Sequence, residues 1–463
     1  MRGGVAVAVL VVLALALAAC GGTKTANPKG ASPRGGHVAT TTNSTAAAPA
    51  TTATTVPTKT VPTKTVPSSV PGATSTTRGV TTTTKPSTAG PTTATTPVTP
   101  NTLAGGQPAG GPVPAGFDPV SFTAVSASEF WLLGQAPCSR AICTSIVRTT
   151  NGGASFVGIP APVAPLDLGS SSTGPSSTGM VNTLRFADPL DGYVYGTHAV
   201  GAFWDTHDGG EHWTEPSFGA GRELLAFGSG AGYAFALVGN CQQGSCTNMV
   251  LERSPVGRDS WTPLSLPVPV GADPYLTMAV HGASLWISVT TSQSSPNQLL
   301  IVGTGAGASF TTYTSPCYSG LGGKLEAASS EVVWAACPTG MLAGLWRSDD
   351  GGAHWKQLTS APELPNSAMV APASASTAVV APDPHGGLLI TTDGGATWKT
   401  VSVGSAGYSW SWVGFTDATT GSALQFEGQV PAGWPWPKGP FPEQLWRTTD
   451  GGVTWSGPVR IAG

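Results

Sequence analysis

From residue 117 onward, apolar residues occur in short alternating runs that are separated by glycine-rich turns. One unit shows the pattern: Thr183–Phe186 alternates, Asp188–Gly192 has turn chemistry, and Tyr193–Gly196 is rich in β-forming residues. Ala202–Trp204 and a run that starts at Trp213 complete four short strands. Helix signals are scarce, because 62 Gly and 41 Pro leave few uninterrupted windows. The pattern predicts an all-β fold built from sheets of four short antiparallel strands.

A turn motif repeats seven times along the same region. It consists of Ser or Thr, a variable residue, Asp-Gly-Gly, two further residues and an aromatic residue, and two of the copies are degenerate. The aromatic residues are Phe156, Trp213, Trp261, Phe310, Trp355, Trp398 and Trp455, at intervals of 57, 48, 49, 45, 43 and 57 residues. Repeats of this length with four strands each are typical of β-propeller blades. We therefore predict a seven-bladed propeller over residues 117–463.

The Asp-Gly-Gly element is predicted to be a structural turn between two strands. Asp, Ser and Thr side chains can hydrogen-bond the turn backbone, and Gly adopts positive φ without steric cost. The aromatic residue that follows is placed to pack between neighbouring blades. The predicted turn residues are Asn151, Asp208, Asp350, Asp393 and Asp450, with Trp213, Trp355, Trp398 and Trp455 as the aromatic wedges.

These motifs resemble the Asp-box, or BNR, repeats of sialidases, sortilin-type receptors and the photosystem II assembly and stability factors. The run from Phe186 to Tyr193, followed by the turn from Thr206 to Trp213, is most similar to the last of these families. In such families the motif lies away from the substrate-binding face. The resemblance therefore implies structural rather than catalytic aspartates, and chaperone-like binding of a membrane-complex subunit.

The first twenty residues are typical of an export signal. Arg2 precedes an apolar run from Val5 to Ala19, and Leu17-Ala18-Ala19-Cys20 resembles a bacterial lipobox. We predict a signal peptide over residues 1–19, a lipid on Cys20, and a location on the outer face of the bacterial cytoplasmic membrane. The alternative is an ordinary signal peptide with a chance cysteine.

The next segment, residues 20–116, is predicted to be a disordered stalk. After Cys20 it contains no Asp, Glu, Cys or aromatic residue, and Thr, Pro, Ala and Ser dominate it. It cannot bury enough apolar surface to offset the entropy of ordering. Its composition is also that of O-glycosylated stalks.

Charge and cysteine usage narrow the function further. Residues 117–463 contain 13 Lys and Arg against 24 Asp and Glu, an acidic balance that argues against a nucleic-acid partner. An even cysteine count in an exported domain favours disulfides, and zinc is the rival interpretation. We predict three sequential pairs: Cys138–Cys143, Cys241–Cys246 and Cys317–Cys337.

A sialidase-like glycoside hydrolase is the main enzymatic alternative. By family resemblance it would need three arginines that converge on a substrate carboxylate. Four of the nine arginines instead share one repeat-equivalent position, three residues before the Asp of the turn: Arg148, Arg253, Arg347 and Arg447. His207, His212 and His354 fall within the turns, where we expect surface residues rather than ligands. The sequence leaves open a carboxylate-pair glycosidase of another type.

An aromatic, proline-rich insertion in the last repeat is the predicted ligand site. Proline holds neighbouring aromatic side chains at low entropic cost, which suits stacking on a sugar or a Pro-rich peptide. The candidate platform consists of Tyr408, Trp410, Trp412, Trp434 and Trp436. The alternative is a lid whose tryptophans pack down to close the ring.

Together these observations predict a lipid-anchored, monomeric binding or assembly scaffold. A protein or glycan partner would bind one propeller face, because loops from all blades converge there. We expect no catalytic residue, no cofactor and no metal. The alternative is a carbohydrate-binding protein or glycoside hydrolase that acts on wall or host glycans.

Overall fold

The computed structural model describes residues 106–139, 141–167, 179–216, 218–219, 221–242, 245–270, 276–290, 297–382, 387–404, 408–427 and 443–461. The predicted signal peptide, Cys20, and the stalk as far as residue 105 lie outside these residues. Every regular element within them is a β-strand. The described part of the chain has no helix with the length and apolar character of a membrane span.

The strands form seven consecutive blades. Blade one contains β1 (Asp118–Ala124), β2 (Phe130–Cys138), β3 (Ala141–Thr149) and β4 (Val157–Ile159). Blade two contains β5 (Thr183–Phe186), β6 (Gly192–Tyr195) and β7 (Phe203–Thr206). Blade three contains β8 (Glu223–Gly230), β9 (Tyr233–Gln242), β10 (Ser245–Pro255) and β11 (Thr262–Leu264). Blade four contains β12 (Thr277–His281), β13 (Ser284–Val289), β14 (Asn297–Thr304) and β15 (Ser309–Tyr318).

The remaining three blades complete the ring. Blade five contains β16 (Lys324–Ala327), β17 (Val333–Pro338), β18 (Leu342–Ser348), β19 (Lys356–Gln357) and β20 (Leu364–Pro365). Blade six contains β21 (Met369–Pro372), β22 (Ala378–Ala381), β23 (Leu388–Thr391) and β24 (Lys399–Val401). Blade seven contains β25 (Tyr408–Phe415), β26 (Gly421–Glu427), β27 (Glu443–Thr448) and β28 (Ser456–Val459).

Each blade is an antiparallel meander in which neighbours in sequence are neighbours in the sheet. The prediction of an all-β, seven-bladed propeller with four-stranded blades is confirmed. In blade two a single antiparallel bridge between Asp205 and Thr214 replaces the ladder of a fourth strand. In blade five, β18 pairs with the short β20 as well as with β19. The inner strand β25 of blade seven contacts β1 of blade one, which closes the ring.

The core lies between adjacent blades rather than within one. One cluster combines Trp131 and Ile146 of blade one with Leu184 and Val194 of blade two. The rings of Trp131 and Phe186 are stacked across this junction, with centroids 4.0 Å apart and planes inclined by 6°. Alternating apolar residues therefore bury both faces of each blade, which explains why the strands contain few charged residues.

The disc has two different faces. The first and third connections of every blade meet on what we call the turn face, which carries the Asp-Gly-Gly turns. The second connections and the links between blades lie on the opposite side, which we call the loop face. The turn face is held together by backbone hydrogen bonds between the two turns of a blade, such as Gly209 N to Leu190 O at 2.8 Å and Gly394 N to Ser376 O at 2.8 Å.

Contacts with the propeller begin before the predicted boundary at residue 117. Gln107 and Pro108 are buried, and the Gln107 side chain donates hydrogen bonds to Glu129 Oε1 at 2.6 Å and to Pro189 O at 2.8 Å. Gly111 pairs with Gly158 beyond the outer edge of blade one. These residues were assigned to the stalk because they lack charge and bulky apolar side chains, although backbone pairing requires neither.

Candidate functional site

The five intact turns share one hydrogen-bond network. In the blade-six copy, Thr391 Oγ1 donates to Asp393 Oδ1 at 2.8 Å and accepts from Gly395 N at 2.8 Å. The second half of the turn closes when Thr397 N donates to Asp393 Oδ1 at 2.8 Å. Both glycines have positive φ, 73° at Gly394 and 90° at Gly395, in agreement with the need for Gly there. The carboxylate is thus fully engaged in the turn.

The second glycine of the turn also packs on the preceding blade. A Cβ at Gly395 would lie 2.6 Å from Leu358 Cδ1 of blade five, and one at Gly452 would lie 2.6 Å from Val379 of blade six. The turn aromatic residues lie beside it, with Trp213 donating from Nε1 to Pro160 O of blade one at 3.0 Å. This geometry assigns the motif to inter-blade packing. Its membership in the Asp-box class stays a prediction.

The hydrogen bonds in the turns also stabilise the ionised aspartates. Hydrogen bonds from the backbone and side chain of His354 hold the pKa of Asp350 at about 2. Those from the side chain and backbone of Thr397 hold the pKa of Asp393 at about 2. A carboxyl group with so low a pKa remains charged in the neutral range and is unsuited to general acid catalysis.

The repeat-equivalent arginines do not converge on one site. Arg447 in β27 donates from Nη2 to Ala127 O at 2.8 Å and from Nη1 to Gly152 O at 3.3 Å, both in blade one. Its guanidinium lies over the Phe130 ring at 4.5 Å. Arg253 donates to Ala306 O of the next blade at 2.6 Å. These arginines connect neighbouring blades, and Arg447 connects the last blade to the first.

The predicted tryptophan platform is divided by the structure. Trp410 is 2% exposed within the core between blades six and seven, so its ring is not available for stacking. Trp412 packs on Phe122 of blade one, with ring centroids 4.8 Å apart. Trp410 therefore belongs to the junction of blades six and seven, and Trp412 to the closure of the disc between blades seven and one. Trp434 and Trp436 lie outside the described residues, as does the side chain of Tyr408.

All three predicted disulfides are present, and all lie at the loop face. Cys138–Cys143 and Cys241–Cys246 each span the turn between the second and third strands of their blade, with Cα atoms 5.8 and 4.0 Å apart. Cys317 of β15 bonds to Cys337 of β17, so this bond connects blades four and five. The disulfides cross-link strand ends on the loop face, which does not carry the Asp-Gly-Gly turns.

Exposed apolar side chains are concentrated on the same face. Eight large hydrophobic residues are exposed in the described part of the chain, and only Val453 lies on the turn face. The other seven lie on the loop face, in its connections or at the strand ends that border them: Ile142, Val163, Val200, Tyr318, Leu321, Met341 and Leu342. Val163 and Met341 are the most exposed of them, at 94% and 88%.

The central channel carries a charged group of its own. Glu326 of β16 and Arg185 of β5 occupy equivalent positions in the inner strands of blades five and two. Burial raises the pKa of Glu326 to about 7, and the positive charges of Arg185 and Lys324 oppose this shift. The Glu326 residue is nevertheless exposed to solvent. Sequence analysis missed this residue, although its repeat position was the available signal.

Comparisons with known proteins find structural similarity at low sequence identity. No protein-family model matches the chain, and no curated protein matches it. Similar solved structures include YCF48 from Cyanidioschyzon merolae, at 14% identity over 73% of this chain and 97% of that one, with a TM-score of 0.47. YCF48 bound to D1 peptide is 14% identical over 68% and 93%, with a TM-score of 0.44. A GH74 xyloglucanase from Xanthomonas campestris is 14% identical over 73% and 72%, with a TM-score of 0.30.

Proposed function

We propose that this propeller is a protein-binding or assembly scaffold that works outside the cytoplasmic membrane, tethered by a lipid on Cys20. The observation that carries the proposal is the placement of seven of the eight exposed large hydrophobic residues on the loop face. Partner-binding surfaces bury apolar side chains at their centre, whereas scattered single hydrophobic residues need no such explanation. The concentration on one face therefore supports a docking surface.

The chemistry of this face favours a protein over a glycan. The exposed set is mostly aliphatic, with Tyr318 as its one aromatic member among the described residues. Sugars are bound by aromatic stacking and polar side chains, whereas aliphatic side chains such as Met341 pack against apolar side chains of a protein. The three disulfides at the same face would limit the entropy lost by its loops on binding. They also suit an oxidising, extracytoplasmic location.

The non-enzymatic assignment is part of the proposal. A glycosidase needs two carboxyl groups that reach the glycosidic bond. Asp205 and Asp259 bring two carboxyl groups together, but Asp205 is fully buried in blade two and cannot contact a substrate. Arg253 and Arg447 are engaged with neighbouring blades and are not available to a substrate carboxylate.

Affinity purification with matched surface variants tests the proposal. We expect mildly crosslinked full-length protein to retain a specific partner, and the paired variant Val163→Asp with Met341→Asp to lose it. Val453→Asp places one such charge on the turn face and is expected to retain it. Turnover of a glycoside by the wild-type protein, or equal partner recovery from all variants, would contradict the proposal.

A further inference from the structure

Four acidic residues and one histidine meet on the turn face at the junction of blades two and three. Asp205 is the next-to-last residue of β7, His207 follows in the blade-two turn, and Asp259 lies in the degenerate turn of blade three. One ligand atom each from Asp205, His207 and Asp259 lies within 4.8 Å of the others. Asp188 and Asp191 belong to the first turn of blade two beside them. Residues from two blades thus converge on one small volume.

Asp205 is the unusual member of this group because its side chain is buried and incompletely satisfied. The residue has no exposed surface, and Thr214 Oγ1 donates to its Oδ1 at 2.5 Å. Its Oδ2 has no hydrogen-bond partner among the described residues, and one of its carboxylate oxygens lies within 4.8 Å of an oxygen of Asp259. A buried carboxylate oxygen that faces a second carboxylate costs free energy unless a cation or proton lies between them. Burial, together with Asp259, raises the pKa of Asp205 to about 7.

His207 is oriented as a metal-binding histidine is oriented. Its Nδ1 lies 2.6 Å from Asp191 Oδ1, which leaves Nε2 directed at Asp259 Oδ1 at 3.4 Å. Metal-bound histidines commonly donate their second ring N–H to a carboxylate, which fixes both the tautomer and the ring orientation. Within the described residues, His207 is the basic side chain in ion-pair contact with Asp191 and Asp259. The group therefore carries excess negative charge.

We propose that Asp205 Oδ2, His207 Nε2 and Asp259 form a binding site for a divalent transition-metal ion, for which Zn²⁺ is the best fit. Two carboxylates and one imidazole match the ligands of zinc, and water would complete a tetrahedral shell. Calcium is less suited because it takes six to eight oxygen ligands and avoids imidazole nitrogen. Asp191 is a positioning residue that acts through His207.

The bound metal would connect blade two to blade three. Blade two has only the Asp205–Thr214 bridge in place of a fourth-strand ladder, so a metal at Asp205 would reinforce the least regular sheet edge. The site also remains open to solvent, since the side chains of His207 and Asp259 are 33% and 42% exposed. A cavity of about 320 Å³, lined partly by Asp188 and Val256, lies between the same two blades.

Titration of metal-free, oxidised, full-length protein with ZnCl₂ tests the site. We expect one tight equivalent by calorimetry, a higher thermal midpoint with zinc, and a tetrahedral visible spectrum when Co²⁺ replaces Zn²⁺. Asp205→Asn and Asp259→Asn should lower the zinc affinity of this site by about 100-fold or more, and Asp191→Asn should lower it by about 10- to 100-fold. Asp205→Asn should also raise the thermal midpoint of the metal-free protein, because it removes a buried charge.

A matched control uses another turn histidine whose Nδ1 also contacts a carboxylate. His354 Nδ1 lies 2.6 Å from Asp350 Oδ2, and within the described residues it has no ion-pair contact with a second carboxylate. His354→Gln should leave the tight binding of one zinc ion unchanged, whereas His207→Gln should abolish it. Zinc binding that is unaltered in Asp205→Asn and Asp259→Asn would overturn the proposal. Failure of the wild-type protein to bind zinc at micromolar concentration would overturn it as well.

Discussion

Replacement of Thr448 by Val tests the structural role of the turn motif where the ring closes. Thr448 is 2% exposed, and Val has nearly the same shape, so the change removes a hydroxyl with little change in packing. That hydroxyl donates to Asp450 Oδ1 at 2.8 Å and accepts from Gly452 N at 2.9 Å. Gly452 is buried, so its N–H would be left without its partner.

The expected cost follows from these two lost bonds. A hydrogen bond to a charged acceptor contributes about 1.5–3 kcal/mol, and an unsatisfied buried N–H costs about 1–3 kcal/mol. The two terms share one hydroxyl and are not additive, so Thr448→Val should lower the free energy of unfolding by roughly 2–4 kcal/mol.

Urea denaturation followed by tryptophan fluorescence provides the measurement. An unchanged dependence of the unfolding free energy on urea concentration indicates an unchanged denatured state. The neighbouring Thr449 is exposed, so Thr449→Val is the control and should shift stability by less than about 0.5 kcal/mol. Equal stability of Thr448→Val and Thr449→Val would refute the view that the turn network fastens the blades.

Three further predictions address the turn aspartate, the ring closure and the aromatic insertion. The folded pKa of Asp393 is about 2, below the unfolded value of about 4, so its contribution to stability is present above pH 4 and is lost as pH falls toward 2. Acid unfolding of Asp393→Asn should therefore depend less on pH in that window, and an unchanged profile would contradict this. Arg447→Ala should destabilise the fold by roughly 2–3 kcal/mol in chemical denaturation, because two hydrogen bonds to blade one are lost, whereas the exposed Arg460→Ala should have little effect. Replacement of Trp434 and Trp436 by Ala should leave the thermal midpoint nearly unchanged while weakening ligand binding, and a large fall of the midpoint would favour the lid.

The fold was predictable from the sequence because each blade repeats the same local physics. Trp213 and Trp398 each follow a turn that must contain glycines with positive φ. That turn recurs with nearly the same hydrogen bonds. The disulfides were predictable for a similar reason, since two pairs are close in sequence. Structural elements that arise from the same local interactions in each repeat can be predicted from a single sequence.

The candidate sites were less predictable because they depend on departures from the repeat. Trp410 resembled a platform residue in sequence, but strand alternation directs it into the core. Asp259 lies 52 residues after His207, and a degenerate turn gives no signal that the two side chains meet. The exposed residues of the loop face lie in or beside irregular connections. Only the assembled blades show that these connections lie on one side of the disc.

Site-specific photo-crosslinking in intact cells tests the central claim most directly. A photoreactive amino acid at Met341, which is 88% exposed, samples the loop face, and one at Val453, which is 51% exposed, samples the turn face. We predict a reproducible crosslink from position 341 to one protein species, and no such species from position 453. Crosslinks of equal yield from both positions, or a crosslinked species that is a glycan, would contradict a protein-binding loop face.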